Sequence, residues 1–188
     1  MVTNSVRWTV QDLATMSEAN DDWCRYEIID GELSVTRAPH FRHQATSSNL
    51  CYELKQWSRR TQLGDAVEAP GVIFSDADAV IPDVIWASHE RIENRLDSAG
   101  HFVIAPELVI EVISSGTANE QRDYKTKLAL YAHYGVQEYW IANWRAKTIE
   151  VYRRQMDELV QIETLHEDDS LTSPLLPDFK CEMRSIFE

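Results

Sequence analysis

The sequence predicts an α/β domain built around one strand–helix–strand unit, followed by an antiparallel meander. The unit spans residues 106–143 and opens with the run LVIEVI at 108–113. A short apolar run bounded by Pro and by Ser-Gly is typical of a strand that is buried on both faces of a sheet. A strand, a helix and a second strand within this length indicate a right-handed parallel crossover.

The segment before this unit predicts a short helix, a hairpin and a long helix, in that order. Residues 9–16 have the pattern of a capped helix, and Asp30-Gly31 is a strong two-residue turn signal within the alternating segment 26–35. Glu27 and Glu32 lie on the hairpin strands and are expected to face solvent. Residues 40–62 show helical spacing of their apolar residues, and His43, near the start, is interpreted as a cap or packing residue.

Residues 79–87 form a second apolar run, AVIPDVIWA, which is interrupted by the single acid Asp83. Pro82 has no N–H, so it is expected at a strand start, an edge or a bulge. We therefore expect Asp83 on this strand at a place where the hydrogen-bond ladder is irregular and a side chain can be re-aimed.

The helix of the central unit is bounded by two local signals. Thr117 and Glu120 have the spacing of a capping box, so the helix is expected to begin near Thr117. Gly135 is expected to end it, and the extended, aromatic-rich pattern resumes at residues 137–141. After residue 143, extended segments at 148–152, at 159–164 and near Leu171 predict the antiparallel meander.

Glu111 is the unusual residue of the apolar strand, because an unpaired buried carboxylate is strongly penalised. It needs a cationic partner, a hydrogen-bond network or a metal ion. At about 100° per residue, Lys127 falls within the apolar face of the following helix and Asp123 falls at its edge. Lys125 falls outside that face and is expected in solvent. One lysine and one aspartate are therefore expected to point toward the sheet that carries Glu111.

Composition limits the kind of protein. The chain has 188 residues, is 44% hydrophobic, and shows no repeat, linker or low-complexity segment, so residues 1–188 are interpreted as a single domain. No apolar run approaches the ~20 residues of a membrane span, and three isolated cysteines favour a reducing cytoplasm. The net charge of −13, from 18 Lys+Arg and 31 Asp+Glu, argues against broad electrostatic binding to nucleic acid but allows a small basic cleft.

Asp83, Glu111 and Lys127 require a joint explanation. Carboxylates at matched heights on strands about 4.8 Å apart can share one divalent cation, and Mg²⁺ needs only two carboxylates and a backbone carbonyl from the protein because it keeps several waters. The alternative is a buried Glu–Lys ion pair, with Asp83 as a turn residue. Spacing alone leaves both interpretations open.

The same residues carry a resemblance to a known family. A Pro-Asp before an apolar strand and a Glu within a later strand are similar to the PD-(D/E)XK nuclease superfamily, and the ordered set of segments resembles its Uma-type family of restriction-endonuclease-like proteins. The matching segments are YEIIDGE at 26–32, HQ at 43–44, IPDV at 81–84, PELVIEVIS at 106–114, Asp123 with Lys127 and Tyr131, and GVQEYW at 135–140.

The resemblance implies a restriction-endonuclease-like fold, a central mixed sheet flanked by helices, and an Mg²⁺- or Mn²⁺-dependent endonuclease that acts on DNA. Asp83 and Glu111 would bind the metal. The superfamily's usual lysine position is occupied by Ile113, so Lys127 would be a relocated substitute. Glu27, His43 and Asp123 would be accessory residues of the site. A homodimer is also expected, since two cuts on a duplex need two sites. The alternative is an interaction module on a nuclease scaffold that has lost catalysis.

Overall fold

The computed structural model describes residues 6–19, 24–113 and 122–188. Its helices are α1 Val10–Ala19, α2 Phe41–Thr61, α3 His89–Asn94, α4 Leu128–Tyr134 and α5 Met183–Phe187. A π-helix, Arg122–Lys127, runs directly into α4. Gly135 ends α4 in the left-handed conformation, as predicted. The predicted helix start near Thr117 lies outside the described residues. No helix within the described ranges combines the length and the apolar character that a membrane span requires.

The central layer is a six-stranded mixed sheet in the order β10-β9-β8-β7-β6-β3. Strands β7 and β8 pair in parallel, whereas their neighbours pair antiparallel. The predicted parallel crossover and the predicted mixed α/β fold are therefore confirmed. The strands of this sheet are β3 Gly64–Glu68, β6 Val84–Ser88, β7 Leu108–Val112, β8 Glu138–Asn143, β9 Thr148–Gln155 and β10 Glu158–Leu165.

Strand β7 is buried on both faces because each face packs on a helix. Leu108, Ile110 and Val112 belong to one hydrophobic cluster, which also contains Leu54 and Trp57 of α2. The alternate positions Val109 and Ile113 belong to a second cluster with Leu130 and Tyr131 of α4. Since successive side chains of a strand point to opposite faces, Glu111 belongs to the α4 face.

A second, four-stranded sheet has the order β2-β1-β5-β4, with β1 Cys24–Ile29, β2 Glu32–Arg37, β4 Val72–Ser75 and β5 Asp78–Val80. The predicted hairpin joins β1 to β2, and Asp30 and Gly31 both have positive φ, 50° and 72°. Such angles at both central residues match the twist of the flanking strands. Because β1 also pairs with β5 at Ile28 and Ala79, it has a paired strand along each of its edges.

Residues 79–87 do not form one strand, which corrects the sequence interpretation of this segment. Strand β5 ends at Val80 and β6 begins at Val84, so Pro82 and Asp83 lie in the connection between two sheets. Pro82 cannot donate a ladder hydrogen bond, which explains the break. The predicted extended segment near Leu171 is β11 Ser170–Ser173. It pairs antiparallel with β12 Leu176–Glu182 in a separate two-stranded sheet and not with the β9–β10 hairpin.

Candidate active site

Glu111 is held by two side chains from the helical segment that packs on its face of the sheet. It is 3% exposed, and its Oε1 accepts hydrogen bonds from Lys127 Nζ at 2.8 Å and from Tyr131 Oη at 2.7 Å. Lys127 is the last residue of the π-helix and is only 2% exposed, whereas Lys125 is exposed. The predicted orientations of both lysines are therefore confirmed.

A second carboxylate shares the same ammonium group. Lys127 Nζ lies 3.0 Å from Oε1 of Glu27, and that oxygen also accepts a hydrogen bond from the backbone N–H of Ile81 at 2.9 Å. Arg122 Nη1 lies 3.7 Å from the other oxygen of Glu27. The expectation that Glu27 faces solvent is wrong, because pairing with β5 places its side chain beside the connection that leads to Asp83. Glu32, on the partner strand, is exposed as expected.

Asp83 is buried and is fixed by three groups. Its Oδ1 accepts a hydrogen bond from Arg25 Nη1 at 2.8 Å, and its Oδ2 accepts one from the backbone N–H of Val112 at 2.9 Å. His43 Nε2 lies 3.3 Å from Oδ2. His43 is thus buried against an acid of the site, while the cap of α2 is His40. Because Val112 directly follows Glu111, its N–H connects the two predicted metal acids through the backbone.

Asp83, Glu111 and Lys127 line one small cavity of about 30 Å³. A cavity needs roughly 10–15 Å³ of this kind of volume to hold one water molecule, so there is room for a small ion or a few waters. Asp123 also lines it, and its Oδ1 is buried without a hydrogen-bond partner within the described part of the chain. The other residues that line the cavity are Arg25, Glu27, Thr36, Arg37, Pro39, His43, Ile81, Val112 and Arg122.

Four carboxylates and several basic side chains meet at the cavity. The acids are Glu27, Asp83, Glu111 and Asp123, and the basic residues are Arg25, Arg37, His43, Arg122 and Lys127. Burial raises the pKa of Glu111 to about 8 despite the nearby Lys127, and Asp83 and Asp123 raise it further. Burial likewise raises the pKa of Asp123 to about 6. At these two carboxylates, burial and the neighbouring acids therefore outweigh the nearby cations.

The remaining charged groups of the site are stabilised in their ionised forms. Burial disfavours ionised Asp83, but the hydrogen bond and charge of His43, the Val112 N–H and the charge of Arg25 together lower its pKa to about 2. Burial also disfavours charged Lys127, but the carboxylates of Glu111, Glu27 and Asp123 raise its pKa above the usual value. At neutral pH, Asp83 is thus an anion and Lys127 a cation.

This set of oxygen donors fits a hard divalent cation. Within the described ranges, no group of three His, Cys, Asp or Glu side chains is arranged to hold a metal ion by itself. Two carboxylates with backbone and water oxygens are nevertheless sufficient for Mg²⁺. Asp123 Oδ1, which accepts no hydrogen bond in the described part of the chain and has Arg122 Nε at 3.9 Å, and Glu111, with its raised pKa, both mark places where added positive charge would be favourable.

Three arginines of the site and one tyrosine role were missed by the sequence analysis. Arg25 could have been found, because it lies two residues before Glu27 on the same strand and therefore points to the same face. Arg122 directly precedes Asp123, and Arg37 ends β2, and neither has a distinguishing local pattern. Tyr131 was part of the matching segments, but its hydrogen bond to Glu111 was not predicted.

The structure thus has a mixed sheet, an acid before β6, an acid within β7 and an amine beside them, which is the arrangement that the resemblance to the nuclease superfamily implies. The sequence model of the Uma2 family, described as "Putative restriction endonuclease", matches residues 10–184, and the chain belongs to this family. Among curated proteins, none matches the chain.

Two solved structures are similar to this one. One is a protein from Anabaena variabilis described as a "putative nuclease belonging to DUF820", with 20% sequence identity and a TM-score of 0.72 over 93% of this chain and 96% of that chain. The other is the type IIG restriction endonuclease BpuSI, with 14% identity and a TM-score of 0.43 over 77% of this chain and 15% of that chain. The first likeness shows that the two proteins share a fold.

Proposed function

We propose that this protein is an endonuclease that hydrolyses DNA phosphodiester bonds with Mg²⁺ or Mn²⁺ as its cofactor. The observation that carries the proposal is the meeting of Asp83, Glu111 and the Lys127 amine at one small cavity. Membership of the Uma2 family supports it. A divalent cation bound there would lower the pKa of a water molecule and offset the charge of the phosphate.

Asp83 and Glu111 are the residues that would hold the cation, and Asp123 offers a further oxygen. Asp83 is already ionised and fixed by the Val112 N–H and by Arg25, so little reorganisation is required at this acid. The amine of Lys127 cannot serve as a base at neutral pH, because its pKa is raised. Its role in this proposal is to orient Glu111 and to stabilise negative charge on the phosphate.

The rim of the cavity supports an anionic substrate. Arg25, Arg37 and Arg122 all line it, although the whole chain has a net charge of −13. Arg37 is exposed and forms no ion pair with a described acid. A local cluster of guanidinium groups suits phosphate oxygens, which accept their paired N–H donors.

The test is DNA cleavage in Mn²⁺ or Mg²⁺ by the wild type, Asp83→Asn and Glu111→Gln. Both variants are expected to lose at least about 100-fold in rate, because each removes a charged ligand that stabilises the transition state. Glu32→Gln is the matched control, since it makes the same change at an exposed position of the adjacent hairpin. Cleavage by Asp83→Asn at the wild-type rate would remove Asp83 and the metal site from the proposal.

A second candidate, an interaction module without catalysis, is favoured by one observation. The Lys127 ammonium already bridges Glu27 and Glu111, so the site is a connected ion-pair network without any added ion. Calorimetric titration of the wild type and of Glu111→Gln with Mn²⁺ separates the two candidates. Binding by the wild type that is lost in the variant supports the enzyme, whereas no binding by either protein and no cleavage supports the module.

Homodimer formation is part of the proposal for a duplex substrate, because cuts in both strands require two sites. Sedimentation of the protein with and without a short duplex measures the number of chains in the complex. If one chain bound per duplex cuts both strands, the homodimer is contradicted.

A further inference from the structure

Outside the carboxylate cavity, a basic and aromatic surface lies where the first turn of α2 meets the turn between β8 and β9. It is a surface cavity of about 570 Å³, and we call its basic and aromatic part, Arg42, Trp144, Arg145 and Lys147, the Trp144 patch. None of these residues contributes to the site of Asp83 and Glu111.

The guanidinium of Arg145 lies over the ring of Trp144. The Arg145 guanidinium carbon lies 4.1 Å from the centre of the Trp144 ring, and the His40 ring stacks on Trp144 at 4.8 Å with an interplanar angle of 7°. Stacking uses the face of the guanidinium and leaves its in-plane N–H donors available. Arg145 is therefore a ring-supported cation whose side-chain donors have no hydrogen-bond partner among the described residues.

The charge of the patch contrasts with that of the chain. Arg42 and Arg145 are exposed and form no ion pair with any acid in the described ranges, although the chain carries 31 acids and 18 basic residues. Lys147 is paired with Glu167 at 2.6 Å, and Glu188 also lines the cavity. The two arginines thus have no ion-pair partner within the described ranges of a strongly acidic protein, as expected for groups whose partner is an external anion.

Residues of α2 line both the carboxylate cavity and the surface cavity that holds the Trp144 patch. His43 lines the carboxylate cavity, while Arg42 and Thr46 line the surface cavity. His43 and Thr46 are three residues apart on one helix, so their side chains lie about 5–6 Å apart at Cβ. A phosphate chain that leaves the carboxylate cavity beside His43 would therefore reach Arg42 and then Arg145.

We propose that the Trp144 patch binds the sugar–phosphate backbone of the DNA beside the bond that is cut. The partner is identified by charge complementarity and by the paired donors that phosphate oxygens accept. The choice of DNA rests on the proposed function. Interactions of this kind position the duplex and carry no base specificity, so the patch would act on affinity and not on sequence preference.

The test is the affinity of the wild-type protein for a short fluorescein-labelled duplex, measured by anisotropy in EDTA so that no cleavage occurs. In the double variant Arg42→Gln/Arg145→Gln, we expect at least about a tenfold higher Kd. We also expect the slope of log K against log salt to fall by about 2, roughly one for each arginine that no longer pairs with a phosphate. Arg145→Lys, which keeps the charge but not the planar fork, is expected to be intermediate.

The matched control is Arg59→Gln/Arg60→Gln, which makes the same change of charge at the other end of α2. An equal loss of affinity in both double variants would show that the effect comes from net charge alone and would overturn the proposed role of the patch. An unchanged Kd and slope in Arg42→Gln/Arg145→Gln would overturn it as well.

The outcome of this test is separable from that of the proposed function. Weakened binding by the arginine variant together with wild-type cleavage by Asp83→Asn would overturn only the metal site. Unchanged binding by the arginine variant together with an inactive Asp83→Asn would overturn only the patch.

Discussion

Removal of the Lys127 amine is the most direct perturbation of the site. Lys127→Met keeps the length and apolar stem of the side chain but removes the ammonium group that lies 2.8 Å from Glu111 and 3.0 Å from Glu27. Two buried carboxylates then lose their common partner. Breaking a buried ion pair by removal of one partner costs about 3–5 kcal/mol, so we expect the free energy of unfolding to fall by up to that amount at pH 9, where Glu111, with a pKa of about 8, is ionised.

Lys125→Met is the matched control, because Lys125 lies two residues earlier and is exposed. We expect it to change the free energy of unfolding by no more than about 0.5 kcal/mol. The pKa of Lys127 is raised, so its stabilising contribution is present at all pH values below its usual range and is lost only at strongly alkaline pH. In Lys127→Met the carboxylates can take up protons instead, so the loss of stability should be smaller at pH 5 than at pH 9.

The assay is urea denaturation in EDTA, followed by tryptophan fluorescence and far-UV circular dichroism. Combining Lys127→Met with Glu111→Gln should recover part of the lost stability, with a coupling energy of about 0.5–3 kcal/mol. If Lys127→Met costs no more than Lys125→Met, the buried ammonium group does not hold the site together and the reasoning is wrong.

Two further predictions concern single groups. Asp123→Asn should stabilise the metal-free protein at pH 8 by up to about 3 kcal/mol, since the pKa of Asp123 is raised to about 6 and each unit is worth about 1.4 kcal/mol. The unfolded carboxyl ionises near pH 4, so ionised Asp123 lowers stability above that pH, and the gain should vanish at pH 4, as measured by denaturation at both pH values. Of the three cysteines, Cys24 alone should react with a thiol reagent at pH 8 in the folded protein, because Cys51 and Cys181 are buried and burial raises the pKa of each to about 11.

Each of these outcomes has a clear opposite. Equal stability of Asp123→Asn and the wild type at pH 8 would show that ionised Asp123 is already compensated. Rapid reaction of more than one thiol before denaturation would show that the core around Cys51 or Cys181 opens readily.

The sequence was sufficient for those parts of the site in which one local pattern decides the structure. The run at 108–113 is apolar at successive positions, so both faces of its strand are predicted to be buried. Glu111 is its single charged residue, and its composition alone therefore marks Glu111 as a buried carboxylate. The helical wheel placed Lys127 correctly although residues 122–127 form a π-helix. Residues four apart remain close to one face in this wider turn, and π-helical segments are frequent at functional sites.

The errors arose where two sheets meet, because such packing leaves no periodic trace in the sequence. Glu27 alternates like a solvent-facing residue, and it is buried by groups far away in the sequence, among them Lys127 and the backbone of Ile81. The segment 79–87 has the composition of one strand, but Pro82 divides it between the two sheets. Arg122 could not be assigned, since its partner Glu27 lies far away in the sequence, and Arg25 could be placed on the face of Glu27 but not paired with Asp83.

The first turn of α2 carries neighbouring residues with different tasks. His43 contacts Asp83, and the preceding residue, Arg42, faces the outer surface. Because the helix is rigid, a tilt that moves Arg42 also moves His43. Binding of a phosphate by Arg42 and the orientation of the Asp83 carboxylate would therefore change together. A variant designed to change only phosphate binding or only the orientation of Asp83 should therefore keep the contacts that hold α2 elsewhere. One such contact is the hydrogen bond that the Trp57 indole donates to the carbonyl of Pro177 at 2.9 Å.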